Sequence, residues 1–374
     1  MNQQSEKQPG NERLKSLDAL RGFDMFWIMG AEEVFILLGT LTGVPVLQWW
    51  ADQMTHVAWH GFHAYDMIFP LFLFIAGVSF PFSARKRMAA QGGRQALTRH
   101  VFQRGLLLVL IGILYNNGLS FDFAHLRYAS VLGRIGLAWM FAALIFMNTK
   151  SHRTRAIWTV CILIFYWLIF VIFKAPDFGD PDHYSMKGNI SSYIDRMLLP
   201  GRFCCYELGD NEGILPTISA VATGLLGMLT GEFLMSSVKP MKKVMYMTIA
   251  AILLMIVGQV WNLAFPINKN LWSSSFVCWV GGLSMLLLAI FYLIIDVWKY
   301  RKWATFFVVI GMNPLTIYLA NRIIGWNNAT EFFFAGIGDL VPAMWATFVH
   351  AVGYVTIGWL FLYFLYKKKI FLKI

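Results

Sequence analysis

Ten apolar runs, each long enough to cross a bilayer, constrain this chain of 374 residues more than any other feature of its sequence. They lie near 18–41, 64–84, 98–117, 128–149, 156–173, 214–236, 244–263, 271–297, 303–325 and 344–366. A hydrocarbon core of about 30 Å takes roughly 20 helical residues to span. The runs are continuous rather than alternating, and only closed backbone hydrogen bonding survives in lipid, so helices are expected and barrel strands are not. Charged residues make up 14% of the chain, against about 25% in a soluble domain, so most of it has no water to face. The expected fold is all-α: a polytopic helical membrane bundle of about ten transmembrane helices, embedded in a lipid bilayer. Residues 17–366 would form one transmembrane domain, with outer loops at 42–63 and 174–213, an N-terminal tail at 1–16 and a basic C-terminal tail at 367–374.

Basic residues set the orientation. With both termini cytoplasmic, 21 of the 31 Lys and Arg residues fall on the inner side and six on the outer, leaving Arg21, Arg104, Arg134 and Arg322 inside spans. The net charge of +11 is therefore a topology signal, and a nucleic-acid partner is not expected. The first apolar run holds Asp18, Arg21, Asp24, Glu32 and Glu33, which a signal-peptide core does not tolerate, so it is expected to stay in the mature protein. Cys204 and Cys205 are adjacent in an outer loop and Cys161 and Cys278 lie in spans, so free thiols are the expectation.

Charges inside spans cost about 2.5–3.5 kcal/mol each at the bilayer centre, so each needs a reason. At 100° per residue, Asp18, Arg21 and Glu32 share one face of the first helix. Internal pairing of Arg21 with Asp18 and Asp24 accounts for the inner cluster, whereas Glu32 and Glu33, about 21 Å further along, have no neutralising neighbour in sequence. The topology brings Asp66, Arg134, Arg322, Asp210, Glu212 and Lys269 to the outer level, beside a loop that holds His56, His60 and His63. Histidine exchanges protons near neutral pH, which makes this cluster a candidate site, although spacing does not choose among the three. No cysteine or paired-carboxylate pattern supports a metal, and no Gly-rich phosphate loop or nucleophile elbow is present. On the inner side, Arg85, Lys86, Arg87, Arg94, Arg99 and Arg104 form a dense basic segment. It serves topology and anionic headgroups, or captures a polyphosphate cosubstrate, and composition does not separate the two.

Several blocks resemble one known family. Residues Arg13 to Gly22 are similar to the opening motif of the heparan-α-glucosaminide N-acetyltransferase-like family of transmembrane acyltransferases. His56-Val57-Ala58-Trp59-His60-Gly61-Phe62, continuing to Asp66-Met67-Ile68-Phe69-Pro70, resembles its second block. Leu132 to Gly136, Asn211 to Ile218, Asn268 to Trp272 with Ser275-Phe276, and Gly311 to Leu315 continue the pattern in order over nearly the whole chain, nearest to a bacterial branch. The chain departs from the lysosomal enzymes at Glu32, where they have asparagine, and at Asn211, where many relatives have proline.

The resemblance implies transfer of an acetyl group from cytoplasmic acetyl-CoA to a glucosamine-like amino sugar or glycan on the far side of a bacterial inner membrane. It singles out His56 as the active histidine, and the chemistry then assigns it the role of general base. Asp66 or Glu32 would orient the imidazole or bind the acceptor's ammonium. Arg134 or Asn313 would stabilise the oxyanion, and Arg21 and Arg104 would hold the CoA phosphates. Trp59, Asp210, Glu212, Lys269 and Trp272 would line the acceptor's place. No metal is implied, and oligomeric state is open, a homodimer being one option. The alternative is a proton-coupled amino-sugar carrier using Glu32, Asp66 and Arg134, for which Asn313-Pro314 hints at a broken helix. A non-catalytic scaffold would leave the buried charges unexplained.

Overall fold

The computed structural model describes residues 14–372 apart from residues 91 and 207. Lys7 and Arg13 of the N-terminal tail, and Lys373, lie outside the described residues. Among the described residues the chain is helical almost throughout. The long helices are α1 (Lys15–Thr42), α3 (Ala64–Met88), α4 (Gly93–Tyr115), α5 (Val131–Asn148), α6 (His152–Ile172), α8 (Pro216–Leu234), α9 (Pro240–Asn262), α10 (Ser274–Val297) and α14 (Ala343–Lys367). Each is long and apolar enough to cross a membrane. The pair α11 (Ala304–Gly311) and α12 (Pro314–Ile323), bent by 68° at its break, is either a tenth, broken span or a re-entrant loop. Short helices α2 (Pro45–Gln53) and α7 (Ile190–Leu198) occupy the two long loops, and α13 (Trp326–Gly338) precedes α14. A two-stranded hairpin, β1 (Cys205–Tyr206) and β2 (Gly209–Asp210), lies in the second loop.

Helices α3 and α8 form the buried centre. They pack on each other, with α5 against α8, α4 against α5 and α9 against α10 outside them. The outward faces of α4, α6, α9 and α14 carry exposed Leu106, Leu110, Phe165, Ile172, Leu253, Val260 and Phe364, as lipid-facing helices require. Small residues let backbones approach where side chains would hold them apart. In the contact of α1 with α11, a Cβ on Gly22 would stand 1.7 Å from the Phe307 carbonyl oxygen, and one on Gly311 would stand 1.9 Å from that of Asp18. Gly311→Val therefore forces two backbones apart. We expect a loss of more than about 3 kcal/mol, beyond ordinary overpacking. Fluorescence-detected gel filtration in detergent should show no monodisperse peak, while Gly336→Ala, with nothing within 4 Å of the new Cβ, leaves it intact.

Two breaks from regular helix position the site. Trp27–Ala31 of α1 is a π-bulge, with Gly30 at φ 110°, a conformation only glycine adopts freely. The bulge turns Glu32 away from the face it would share with Asp18 and Arg21 in an unbroken helix. The side-chain amide of Asn321 donates to the Ile28 carbonyl at 3.1 Å. At Asn313, between α11 and α12, the side chain donates to the Ile370 carbonyl at 3.0 Å and accepts from the Leu372 amide at 3.1 Å. The break thus straps the end of α14 to the bundle. In the second loop, Cys204 and Cys205 form a disulfide where free thiols were expected from sequence. Cys205 takes a left-handed φ of 79°, which brings its sulfur round to its neighbour's.

Candidate functional site

The first turn of α3 builds the centre of the site. His63 caps it, and Asp66 at the third position returns a carboxylate oxygen to the His63 amide at 3.0 Å, a reciprocal cap that satisfies two helix-end donors. This fixes Asp66, which is buried, and leaves its other oxygen facing the loop. There it accepts from His56 Nδ1 at 2.7 Å. With Nδ1 protonated against the carboxylate, Nε2 carries the lone pair. Lys269 Nζ stands 3.0 Å from Nε2 and 3.5 Å from Asp66 Oδ1. Burial pushes the Lys269 ammonium below the usual lysine range, more than neighbouring Asp66 pulls it back. Burial likewise lowers His60, which sits 3.3 Å from the Asn268 amide nitrogen.

His56, Asp66 and Lys269 open into a cavity of about 550 Å³ between the two long loops, lined also by Trp59, Tyr65, Arg127, Tyr206 and Glu212. Trp59 is held by donation from Nε1 to the Tyr184 carbonyl at 2.8 Å and packs edge-on against Tyr206. A second cavity, of about 390 Å³, lies deeper, toward the start of α1 and the end of the chain. It holds Arg21, Ser79 and Arg104, with Phe371 and Leu372 of the strapped tail in its wall. Arg21 donates to the Ser79 hydroxyl at 3.0 Å and meets Asp18 at 3.4 Å. The Arg104 guanidinium lies 4.4 Å above the Trp139 ring; its Nε is buried without a partner, and no carboxylate pairs with it among the described residues. The two cavities abut. Ile28, Phe69, Val131 and Tyr318 line both.

Several residues singled out from the sequence do not line either cavity. Trp272 is fully buried in the core, its indole donating to Thr223 at 3.1 Å, so it supports the site from behind. Arg134 is buried over Trp272 at 5.1 Å and donates to the Asn211 carbonyl. Asn313 is occupied by the tail. Glu32 sits behind Tyr65, because the π-bulge turns it. Asp24 is buried with neither carboxylate oxygen partnered among the described residues, rather than bonded to Arg21 as the sequence suggested.

Asp210 is the organiser of the second loop. It accepts from Arg127 Nε at 2.8 Å and Nη2 at 2.6 Å, and from the amides of Cys204 at 2.9 Å and Glu212 at 2.8 Å. Arg127 also bonds Glu212, which faces the cavity. Sequence reasoning passed over Arg127 as one of a few outer basic residues; its place in a loop gave no sign that it would bridge two acids some eighty positions away. Burial alone would raise the Asp210 carboxyl, but Arg127 outweighs it and holds it below the usual 3.8. Burial of the neighbouring Asp195 dominates instead, pushing it up to about 6.

The signs of the two shifts are opposite. The stabilisation from Asp210 is present above pH 3.8 and is lost as pH falls through its lowered pKa. That from Asp195 is full below 3.8 and lost as pH rises through about 6. We expect Asp210→Asn to remove one of the two acids that hold Arg127, leaving Glu212, at a cost of about 1.5–3 kcal/mol. Limited proteolysis should then cut near residue 205 at pH 7, where the wild-type loop resists.

The chain is similar to two curated proteins named heparan-alpha-glucosaminide N-acetyltransferase. That of Mus musculus is 27% identical over 375 residues, covering 85% of this chain and 56% of the relative. That of Homo sapiens is 26% identical over 429 residues, covering 97% of this chain and 60% of the relative. At 26–27% identity, the two matches are a likeness that runs over most of this chain. The chain spans less than two thirds of the length of these curated relatives. No family model matches it. Its long apolar helices are those of a multi-pass membrane protein. Among the described residues no cluster of His, Cys, Asp or Glu could hold a metal ion.

Proposed function

We propose that this protein is a transmembrane N-acetyltransferase that takes acetyl-CoA from one side of the membrane and acetylates an amino sugar on the other. The observation that carries this reading is the shared wall of the two cavities, through Ile28, Phe69, Val131 and Tyr318. A thioester entering past Arg21 and Arg104 would have to pass this wall to present its carbonyl at the His56 side. The bias of basic residues supports a cytoplasmic place for the Arg21 side, with a bacterial inner membrane as the proposed location. Arg104, with an unpartnered buried Nε and no carboxylate beside it, fits an anionic phosphate or pyrophosphate.

On the far side, Trp59 and Glu212 would receive the sugar, the indole against its ring and the carboxylate on its amine or hydroxyls. The amine nitrogen attacks the acetyl carbonyl carbon while His56 Nε2 takes its proton, Asp66 holding the ring in the required tautomer. The carbon–sulfur bond breaks, and the proton passes from the imidazolium to the departing thiolate. Lys269, rather than Arg134 or Asn313, stands where a cation can meet the oxyanion, so binding of the acceptor must draw Nζ off Nε2. The name of the relatives makes a terminal glucosamine the first acceptor to try.

Purified protein in nanodiscs should bind acetyl-CoA in isothermal titration and release free thiol slowly without acceptor. Arg104→Ala should weaken binding by roughly tenfold or more, the worth of one charge-assisted contact of about 1.5–3 kcal/mol. Absence of both binding and thiol release in the wild type would overturn the reading. Uptake of labelled glucosamine into vesicles without acetyl-CoA would instead favour a carrier.

A further inference from the structure

We propose that Glu32 is a positioning residue that acts on His56 through Tyr65. The proposal rests on the acetyltransferase reading of His56 and adds a function for a carboxylate that touches neither cavity. The π-bulge of α1 sets Glu32 against the Tyr65 hydroxyl. One Glu32 oxygen remains sealed from solvent without a partner among the described residues. An acid in that position, inside a membrane-crossing helix, is kept at a cost that folding alone does not explain. Tyr65 does face the site. It is one residue before Asp66 in the first turn of α3, lines the outer cavity, and packs its ring 4.9 Å from that of His56 at 44°.

The imidazole is therefore held on two sides. Asp66 fixes Nδ1 and so the tautomer. The Tyr65 ring fixes the plane, and Glu32 fixes Tyr65 by its hydroxyl. His56 has half of its side-chain surface exposed, so without a second restraint the ring could swing about its bond to Asp66. Misplacing a catalytic group by a fraction of its reach is expensive, up to ~100-fold in rate for about 1 Å. The pair stands on rigid backbone. Asn321 holds the bulge at the Ile28 carbonyl, and the His63 cap holds the turn that carries Tyr65.

The test is a double-mutant cycle on the full chain in nanodiscs, using Tyr65→Phe, Glu32→Ala and Glu32→Gln, with two readouts. The first is acetyl transfer to glucosamine, separated into kcat and KM for acetyl-CoA. The second is the rate at which diethylpyrocarbonate modifies His56, followed by mass spectrometry, which needs no enzymatic activity. Tyr65→Phe and Glu32→Ala should each lower kcat by roughly tenfold with KM for acetyl-CoA unchanged, in line with a small loss of alignment. The double variant should be no worse than either single one. Glu32→Gln, whose amide oxygen still accepts from the phenol, should restore most of the rate. Modification of His56 should speed up in Glu32→Ala and Tyr65→Phe and return to the wild-type rate in Glu32→Gln. Multiplying effects in the double variant, or Glu32→Gln as damaging as Glu32→Ala, overturns the proposal. If the wild type transfers no acetyl group, the acetyltransferase reading fails. The modification rates still decide whether Glu32 and Tyr65 hold the imidazole.

Discussion

His56→Gln should lower acetyl transfer by about 10²- to 10⁴-fold, the usual contribution of a general base, while leaving acetyl-CoA binding within twofold or so of wild type. The separation follows from geometry. His56 lines only the outer cavity, whereas Arg21 and Arg104 line only the deeper one. The side chain is half exposed, so its loss should also leave the thermal midpoint nearly unchanged, and a large drop in stability would mean the effect is structural. Asp66→Asn should approach the same loss by a different route. An amide in place of the carboxylate can offer Nδ1 a donor, which favours the tautomer with its proton on Nε2 and removes the base. In that orientation the amide oxygen still accepts from the His63 N–H, so the cap survives and the loss should be one of rate more than of stability. Lys269 adds an alkaline limit. Its ammonium is depressed by burial, so it loses its charge below the ordinary lysine value of 10.5 as pH rises, and activity should fall there if that charge meets the oxyanion. Lys269→Met should remove that limb, and stopped assays across pH 7–10 would show it.

The spans were legible because lipid imposes one rule on every segment at once. Nearly every run read from the sequence corresponds to a helix whose ends differ by a few residues, and the run at 303–325 is the exception in shape, bent at Asn313-Pro314. His56, Asp66 and Lys269 could be gathered on one side by alternating the loops, though their contact could not be known until the His63 cap turned the carboxylate toward the ring. What stayed hidden depended on local breaks and on partners distant in sequence. The helical wheel placed Glu32 beside Arg21 because it assumes a regular helix, and the π-bulge at Trp27–Ala31 cancels that assumption. Arg134 and Trp272 looked like site residues because they are polar or aromatic near the loops, but they stack on each other inside the core. Arg127 escaped notice because its partners are distant in sequence; Asp210 and Glu212 reach it through the fold of the second loop.

Blocking the wall between the cavities should have an effect as large as removing the base. Val131 opens α5, lines both cavities and is partly buried, so Val131→Trp would place an indole in the junction without disturbing Arg104 or His56 directly. If the acetyl carbonyl must pass there, transfer should fall by more than about 10²-fold, since a reacting group held even 1 Å short costs that much. Acetyl-CoA should still bind, because its phosphates meet the Arg21 and Arg104 cavity, and thiol release without acceptor should fall in parallel with transfer. Val131→Ala is the complement. A wider junction should keep the acetyl reaction and admit propionyl- or butyryl-CoA that the wild type turns over poorly, as a pocket one or two methylenes larger discriminates by about 10- to 200-fold less. Isothermal titration beside a coupled thiol assay separates the cases. Unchanged transfer in Val131→Trp would show that donor and acceptor do not meet through this junction, and the Arg21 cavity would then need another role.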